Sequence, residues 1–182
     1  MKRQQTAGNV LKHEIAVTVR EHTTAPSPVV FDVLANLTGH MQWGGAEASA
    51  LLSMEAPEGQ ATAGTEFIST AEDGTCRMTD SSVVTEAVRP TRFERVTESA
   101  VASKRNGTTA DWLLVHRYDI EADGNQSNVT YTCRLVRASR LPSLLAIYGI
   151  PVLRSLARLE WARASRAGLR RLTAAAETTA QA

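Results

Sequence analysis

The chain contains few of the residues that build disulfide-stabilised or metal-dependent proteins. Of its 182 residues only two are cysteines, Cys76 and Cys133, and only four are histidines. Two thiols cannot provide a disulfide framework, and such a low count is typical of a reducing compartment. The histidines show none of the close spacings found among metal ligands, so we expect neither a metal site nor a cofactor.

The sequence also lacks a long apolar run. Its longest apolar stretch, residues 141–153, is interrupted by Ser143, Gly149 and two prolines and is too short to cross a bilayer. The basic residues at positions 2–3 are not followed by the apolar segment of a signal peptide. We therefore expect a cytoplasmic protein.

Several sequence motifs of common enzyme and binding classes are missing. There is no glycine-rich phosphate loop after a strand and no Gly-x-Ser-x-Gly nucleophile elbow. Aromatic residues make up only 5% of the chain, and the arginine-rich C-terminal segment lacks an interleaved series of them. We therefore expect no nucleic-acid partner.

Charge is unevenly distributed, although the net charge is only +1. Residues 1–136 carry a net charge of −5, whereas residues 137–182 carry +6. The simpler interpretation is that the C-terminal arginines form the solvated face of an amphipathic helix. The alternative is peripheral contact with an anionic membrane or an acidic carrier.

Length and composition predict one domain. With 43% hydrophobic and 21% charged residues, the chain can build a single sizeable core. Its polar or Ala/Thr-rich ends predict flexible tails at residues 1–11 and 177–182, around a domain at residues 12–176.

Alternating apolar and polar residues predict an antiparallel sheet interrupted by short helices. Residues 13–19 alternate as a half-buried strand does. Pro28 favours a helix that starts at Ser27, and a second short turn carries Trp43. Asp-Gly or Asn-Gly dipeptides at three later junctions predict tight hairpin turns. The six further predicted strands cover residues 50–55, 64–71, 75–88, 92–99, 111–120 and 128–136.

The C-terminal segment predicts a long helix from Pro151, after a shorter one that starts near Ser143 and breaks at residues 149–150. Glu160 falls on its inward side, an unusual position because a buried, unpaired carboxylate is costly. We predict an α+β fold in which a curved antiparallel sheet of about seven strands wraps around this helix and encloses a cavity. On a helical wheel the predicted inward face consists of Leu153, Leu156, Ala157, Ala164, Ala167 and Gly168.

Four stretches give the chain a family resemblance over roughly residues 12–175. They are the first strand with the Ala-Pro helix start and Trp43 (15–43), Gly-Thr-Glu-Phe at 64–67, the turn region 84–92, and the late hairpin 118–131. The sequence resembles the START-like helix-grip (SRPBCC) superfamily, and within it the polyketide cyclase/dehydrase and lipid-transport group. The resemblance implies a cavity for a hydrophobic or aromatic molecule, and it transfers no catalytic motif.

Strand register predicts which polar side chains face that cavity. Alternation in residues 75–88 places Asp80 and Ser82 on the inner face together with Cys76, Met78, Val84 and Val88. In residues 111–120 the inner face carries Trp112, Leu114, His116, Tyr118 and Ile120. The inner face of the last strand carries Val129, Tyr131, Cys133 and Leu135. A single bulge would reverse such an assignment.

These positions supply the candidate site. The candidate catalytic residues are His116, Asp80 and Tyr118, because His and Asp can transfer protons and a Tyr hydroxyl can polarise a carbonyl. The same residues also have purely structural interpretations, as a core or rim histidine, a solvated carboxylate and a packing aromatic. The candidate ligand-binding residues are Trp43, Met78, Ser82, Trp112, Leu114, Tyr131, Leu156 and Glu160.

Three functions follow from these features. The first is non-covalent binding of a hydrophobic small molecule, a lipid or a polyketide-like or aromatic compound. The second is a cyclase or dehydratase that uses acid/base groups in the cavity. The third is an interaction protein that docks through its arginine-rich C-terminal helix. Convergence of the polar groups within a sizeable pocket would distinguish the first two from the third.

Overall fold

The computed structural model describes residue 11 and residues 14–46, 49–140 and 151–182, with only the backbone described for 45–46, 49–50 and 151–157. The strands are β1 (Ile15–Thr23), β2 (Gly45–Ala46), β3 (Ser49–Glu55), β4 (Glu66–Asp73), β5 (Cys76–Val88), β6 (Arg92–Ser103), β7 (Thr109–Asp123) and β8 (Gln126–Ala138). The helices are α1 (Ser27–Ala35), a 3₁₀ turn (Leu37–Gly39), α2 (His40–Trp43) and α3 (Pro151–Gln181).

The strands form one antiparallel sheet in the order β1-β8-β7-β6-β5-β4-β3-β2. β1 is far from β2 in this order because the chain crosses over through α1 and α2 before the meander begins. Gly107 and Gly124 have φ angles of 67° and 62°, the left-handed conformation that the Asn-Gly and Asp-Gly turns require. The predicted antiparallel sheet of about seven strands is confirmed, with the two-residue β2 added at its edge.

Helix α3 packs on the concave face of the sheet, and α1 closes one end between α3 and strands β6 and β7. The central core joins α1, α3 and the inner faces of several strands; its largest fully buried side chains include Phe93, Leu34, Leu37 and Leu172. This arrangement confirms the predicted α+β architecture, a sheet wrapped around one long helix. No helix in the described ranges combines the length and apolar character needed to cross a membrane.

The inward face of α3 differs from the predicted one. Trp161 is half-buried against the core and Leu169, Leu172 and Ala176 are buried, whereas Ala164 and Gly168 of the predicted face line the cavity. On a helix with 3.6 residues per turn, the observed face is rotated by roughly 100° from the predicted one. The prediction relied on small residues near the start of the helix, but the sheet contact is made by larger residues nearer its end. The side chains of Leu153, Leu156 and Ala157, and the predicted helix start near residue 143 and break at residues 149–150, lie outside the described residues.

A β-bulge near the end of β5 makes its observed register differ from the predicted one. Its pairing with β6 shifts between Val84 and Glu86. Up to that point the inner-face assignment holds, since Cys76, Ser82 and Val84 are buried. Beyond the bulge the alternation reverses, and Val88, predicted to face inward, is 49% exposed.

Polar contacts attach the second half of α3 to β1. Thr23 Oγ1 donates a hydrogen bond of 2.9 Å to the carboxylate of Glu177. On the same strand, Glu21 Oε1 lies 3.5 Å from Arg166 Nε and 3.1 Å from Arg170 Nε. Two of the C-terminal arginines therefore pair with the sheet, and the helix continues to Gln181.

Candidate functional site

A cavity of about 350 Å³ lies between the inner face of the sheet and helix α3. Strands β4 to β8 supply its floor, α3 supplies its roof, and α2 with β3 supplies one side. Five of the long antiparallel strands thus contribute every second side chain to one enclosed space.

The larger part of the cavity wall is apolar and aromatic. Of the predicted ligand-binding residues, Trp43, Met78, Trp112, Leu114 and Tyr131 line this space. The structure adds Met54 from β3, together with Trp161 and Leu169 from α3. Such a wall suits an apolar molecule because few polar atoms of the wall lose hydrogen bonds to water when the molecule binds.

A cluster of polar side chains lies within this apolar wall. Nδ1 of His116 is 2.7 Å from the hydroxyl oxygen of Tyr131, and Cys133 Sγ is 3.6 Å from the same nitrogen. The rings of Tyr118 and Tyr131 are in contact, with centroids 4.6 Å apart. The predicted inner faces of β7 and β8 are confirmed here, and they bring His116, Tyr118 and Tyr131 together.

Burial determines the protonation states of His116, Tyr131 and Cys133. It lowers the pKa of His116 well below the ordinary value, and the charge of Arg95 lowers it further. Burial also raises the pKa of Tyr131 well above its ordinary value and raises the pKa of Cys133 to about 12. At neutral pH the imidazole, the phenol and the thiol are therefore all uncharged, and Cys133 is not an activated nucleophile.

The charged part of the cavity comes from β5 and β6. Asp80 stands opposite Ser99 in the register of the two strands, and Arg95 lines the same space from β6. Burial raises the pKa of Asp80, against the opposing effects of a hydrogen bond from Ser99 and the charge of Arg95. The guanidinium carbon of Arg95 lies 5.4 Å from the centre of the Phe67 ring, a cation–π contact.

Three polar atoms at the cavity are buried and have no hydrogen-bond partner among the residues that the structure describes. They are Nε1 of Trp43, Oδ1 of Asp80 and Nε of Arg95. Unpaired buried polar atoms are rare in folded proteins and mark functional positions or sites of ligand contact. The three residues belong to three different elements and all line the same cavity.

Two basic residues of the cavity, His40 and Arg95, are also absent from the sequence-based candidates. His40, in α2, is 5% exposed and donates a hydrogen bond of 2.8 Å from Nε2 to the carbonyl oxygen of Leu34. Burial, assisted by the charge of Arg95, lowers its pKa to about 3. Arg95 was detectable by the alternation already applied to β5, since Phe93 and Thr97, two residues to either side, are buried. His40 has no such signal, because a short helix gives too few residues for a pattern.

Other predicted site residues lie elsewhere. Ser82 is buried, and its hydroxyl hydrogen-bonds to Thr97 at 2.9 Å within the sheet, so it does not line the cavity. Glu160 is exposed on the outer side of α3 and pairs with Arg163, as the solvated-face interpretation expects. Its predicted inward position is wrong because the helix face is rotated. Leu156 lies outside the residues whose side chains are described. In the described part of the chain, no group of three or more His, Cys, Asp or Glu side chains is arranged to hold a metal ion.

Comparison with solved structures identifies the fold. Protein CV1439 from Chromobacterium violaceum matches with a TM-score of 0.59 and 12% identity, over 89% of this chain and 96% of that one. An uncharacterised protein from Rhizobium leguminosarum matches with a TM-score of 0.60 and 16% identity, over 91% and 96%. Ara h 8.0201 matches with a TM-score of 0.56 and 10% identity, over 91% and 99%. No family sequence model and no curated protein matches the chain.

These matches and the topology define a helix-grip α+β fold, in which a curved antiparallel sheet grips a long C-terminal helix. This is the fold that the resemblance of the sequence to the START-like (SRPBCC) superfamily predicts. At 10–16% identity the likeness establishes the fold, and the function must be argued from the site.

Proposed function

We propose that this protein binds one hydrophobic small molecule, a lipid or a polyketide-like or aromatic compound, in the cavity beneath α3. The observation that carries the proposal is the cavity itself, about 350 Å³ of space with walls from Trp43, Met54, Met78, Trp112 and Trp161. START-like proteins, which the sequence resembles, include lipid carriers and ligand sensors. The proposal assigns the same general role to this cavity.

The energetics of such binding are favourable. An apolar ligand that buries about 250 Å² of its surface gains roughly 6 kcal/mol at 25 cal/mol per Å². Association entropy offsets part of this gain, but a preformed cavity reduces the cost of ordering protein side chains. Aromatic contacts of the ligand with the tryptophan walls add about 0.5–1.5 kcal/mol each.

Titration with N-phenyl-1-naphthylamine, a neutral aromatic probe whose fluorescence rises in apolar surroundings, tests the proposal. We expect saturable binding with one molecule per chain. Native mass spectrometry of protein purified from cells should show bound apolar compounds that are lost on denaturation. Absence of saturable binding for this probe and for long-chain lipids would overturn the proposal.

A second candidate is acid/base chemistry of the cyclase or dehydratase type. The 2.7 Å contact between His116 and Tyr131 favours it, because a neutral imidazole can accept a proton while a phenol donates a hydrogen bond to a carbonyl. Tyr118 and Asp80 line the same cavity and would be the further acid/base groups.

Hydrogen–deuterium exchange at the acidic carbon of an aromatic 1,3-diketone, followed by NMR, tests this second candidate. Exchange faster than in buffer, and lost in His116→Gln while the probe above still binds, would support catalysis. Exchange at the buffer rate in the wild-type protein would reject proton abstraction from such substrates and leave the binding function intact.

A further inference from the structure

Arg95 brings a positive charge into a cavity whose other walls are mostly apolar. Its side chain extends from β6 over the face of Phe67 and lines the ligand space. Nε is buried without a hydrogen-bond partner. Among the residues that the structure describes, no carboxylate forms an ion pair with Arg95, although its charge acts on Asp80, which lines the same cavity from β5.

The cavity presents a second unsatisfied donor. Nε1 of Trp43 is likewise buried and without a partner, and Trp43 lines the cavity from α2. An indole N–H can only donate, and a guanidinium also has no acceptor. Among the described residues neither atom meets an acceptor, so both N–H groups are free to donate to acceptor atoms that a ligand supplies.

Ligand entry makes this requirement more severe. While the cavity is open, water solvates the exposed part of the guanidinium. A purely apolar ligand displaces that water and leaves a cation in low-dielectric surroundings, which is strongly unfavourable without a paired charge. A ligand that carries its own anionic oxygens restores the pairing, and a carboxylate matches the guanidinium fork in shape.

We propose that the cavity selects an apolar carboxylic acid, bound with its ionised carboxylate at Arg95 and its apolar body against the tryptophan and methionine walls. The proposal rests on the proposed binding function and specifies the chemical class of the ligand. Arg95 is then the residue that determines specificity, and Trp43 supplies an additional donor. The apolar body can be aliphatic or aromatic, since both fit walls of this composition.

Competition against N-phenyl-1-naphthylamine tests the proposal with matched pairs of competitors. Decanoate and decanamide share a chain and differ in charge, and 1-naphthoate and 1-naphthamide provide the aromatic equivalent. We expect the carboxylate of at least one pair to bind about tenfold more tightly than its amide, which corresponds to about 1.4 kcal/mol. Whichever pair shows the difference identifies the kind of apolar body.

Arg95→Met should abolish this preference, measured as the ratio of the acid and amide Kd values within the variant, so that a change in probe affinity cancels. The matched control is Arg105→Met, which removes the same charge from an exposed turn between β6 and β7 and should leave the preference unchanged. The preference should also change little between 50 and 500 mM salt, because salt screens an enclosed pair weakly. If Arg95→Met does not fold, as judged by circular dichroism, Arg95→Gln takes its place.

The outcomes separate the two proposals. Failure of both the neutral probe and long-chain lipids to bind the wild-type protein rejects the binding function itself. Probe binding with equal affinity for acids and amides overturns only the carboxylate proposal. Retention of the preference in Arg95→Met also overturns it. Appearance of the preference only in Asp80→Asn would show that Asp80 is the counter-ion of Arg95, and would overturn it as well.

Discussion

The hydroxyl oxygen of Tyr131 lies 2.7 Å from Nδ1 of His116, and the two rings are stacked at an interplanar angle of 15°. The residues stand on adjacent strands, β8 and β7, and both face the cavity. The phenol thus satisfies an imidazole that burial keeps neutral.

Tyr131→Phe should lower the free energy of unfolding by about 0.5–1.5 kcal/mol, because it removes this hydrogen bond and leaves the imidazole nitrogen poorly satisfied. Urea unfolding at pH 7.5 measures the change. Tyr118→Phe is the matched control: its ring packs on Tyr131, and the described structure gives its hydroxyl no hydrogen bond. Equal losses for the two variants would contradict a structural role for the His116–Tyr131 contact.

His40 should make stability depend on pH. Its pKa falls from 6.5 to about 3 on folding, so the unfolded chain binds more protons in this window and stability decreases as pH falls below 6.5. The expected loss between pH 8 and pH 5 is about 2 kcal/mol from this group. Above pH 5, the carboxylates with depressed pKa, such as Asp119 and Glu177, remain ionised and contribute little to the slope.

Urea unfolding of the wild-type protein and His40→Gln at pH 8, 6.5 and 5 measures this effect. Gln at position 40 retains a donor for the Leu34 carbonyl and cannot titrate. We expect a flatter pH dependence in the variant, with the remaining slope due to His116. An identical slope in both proteins would show that His40 is not held neutral by burial.

Substitutions along α3 should follow the observed face of the helix. Leu172 is fully buried, so Leu172→Ala should cost about 2–5 kcal/mol. Leu159 is 47% exposed on the same helix, and Leu159→Ala should cost well under 1 kcal/mol. Chemical denaturation of the two variants provides the comparison. Similar costs would indicate that the helix contacts the sheet through a different face.

The arginines on the outer side of α3 should contribute little to stability. Glu21→Gln removes the pairing with Arg166 and Arg170, exposed ion pairs worth no more than about 1 kcal/mol. The difference from wild type should vanish in 0.5 M NaCl, and Glu58→Gln, in an exposed loop, should show no effect at any salt concentration. A loss that persists in high salt would mean that Glu21 is held by more than these two charges.

Local chemistry explains which parts of the fold could be predicted. Asn-Gly and Asp-Gly dipeptides favour positive φ, and Gly107 and Gly124 adopt it, so these two hairpins could be predicted from the sequence. Gly74, in the third dipeptide, has no positive φ. Alternation likewise gave the inner faces of β7 and β8. These features depend only on neighbouring residues.

Features that depend on distant contacts were predicted less well. The bulge at Val84–Glu86 has no local signal, and the residues of α3 that meet the sheet are set by the position of the strands. The burial of Arg95 follows the alternation of β6, but the rule that charges stay in water argues against placing a cation there. Glu160 was placed inward against this rule and is exposed, whereas Arg95 lines the cavity in spite of the rule.

Filling the cavity beneath α3 with a larger side chain shows whether the ligand binds there. Ala71, on β4, lines the cavity, whereas Ala100, on β6, is exposed and does not. The measurement is the Kd of N-phenyl-1-naphthylamine for Ala71→Phe and Ala100→Phe, with melting temperatures recorded for both. We predict that Ala71→Phe, in a folded protein, weakens binding at least tenfold and that Ala100→Phe leaves it unchanged. Undiminished binding to folded Ala71→Phe would show that the ligand binds elsewhere and would reject the cavity beneath α3 as the binding site.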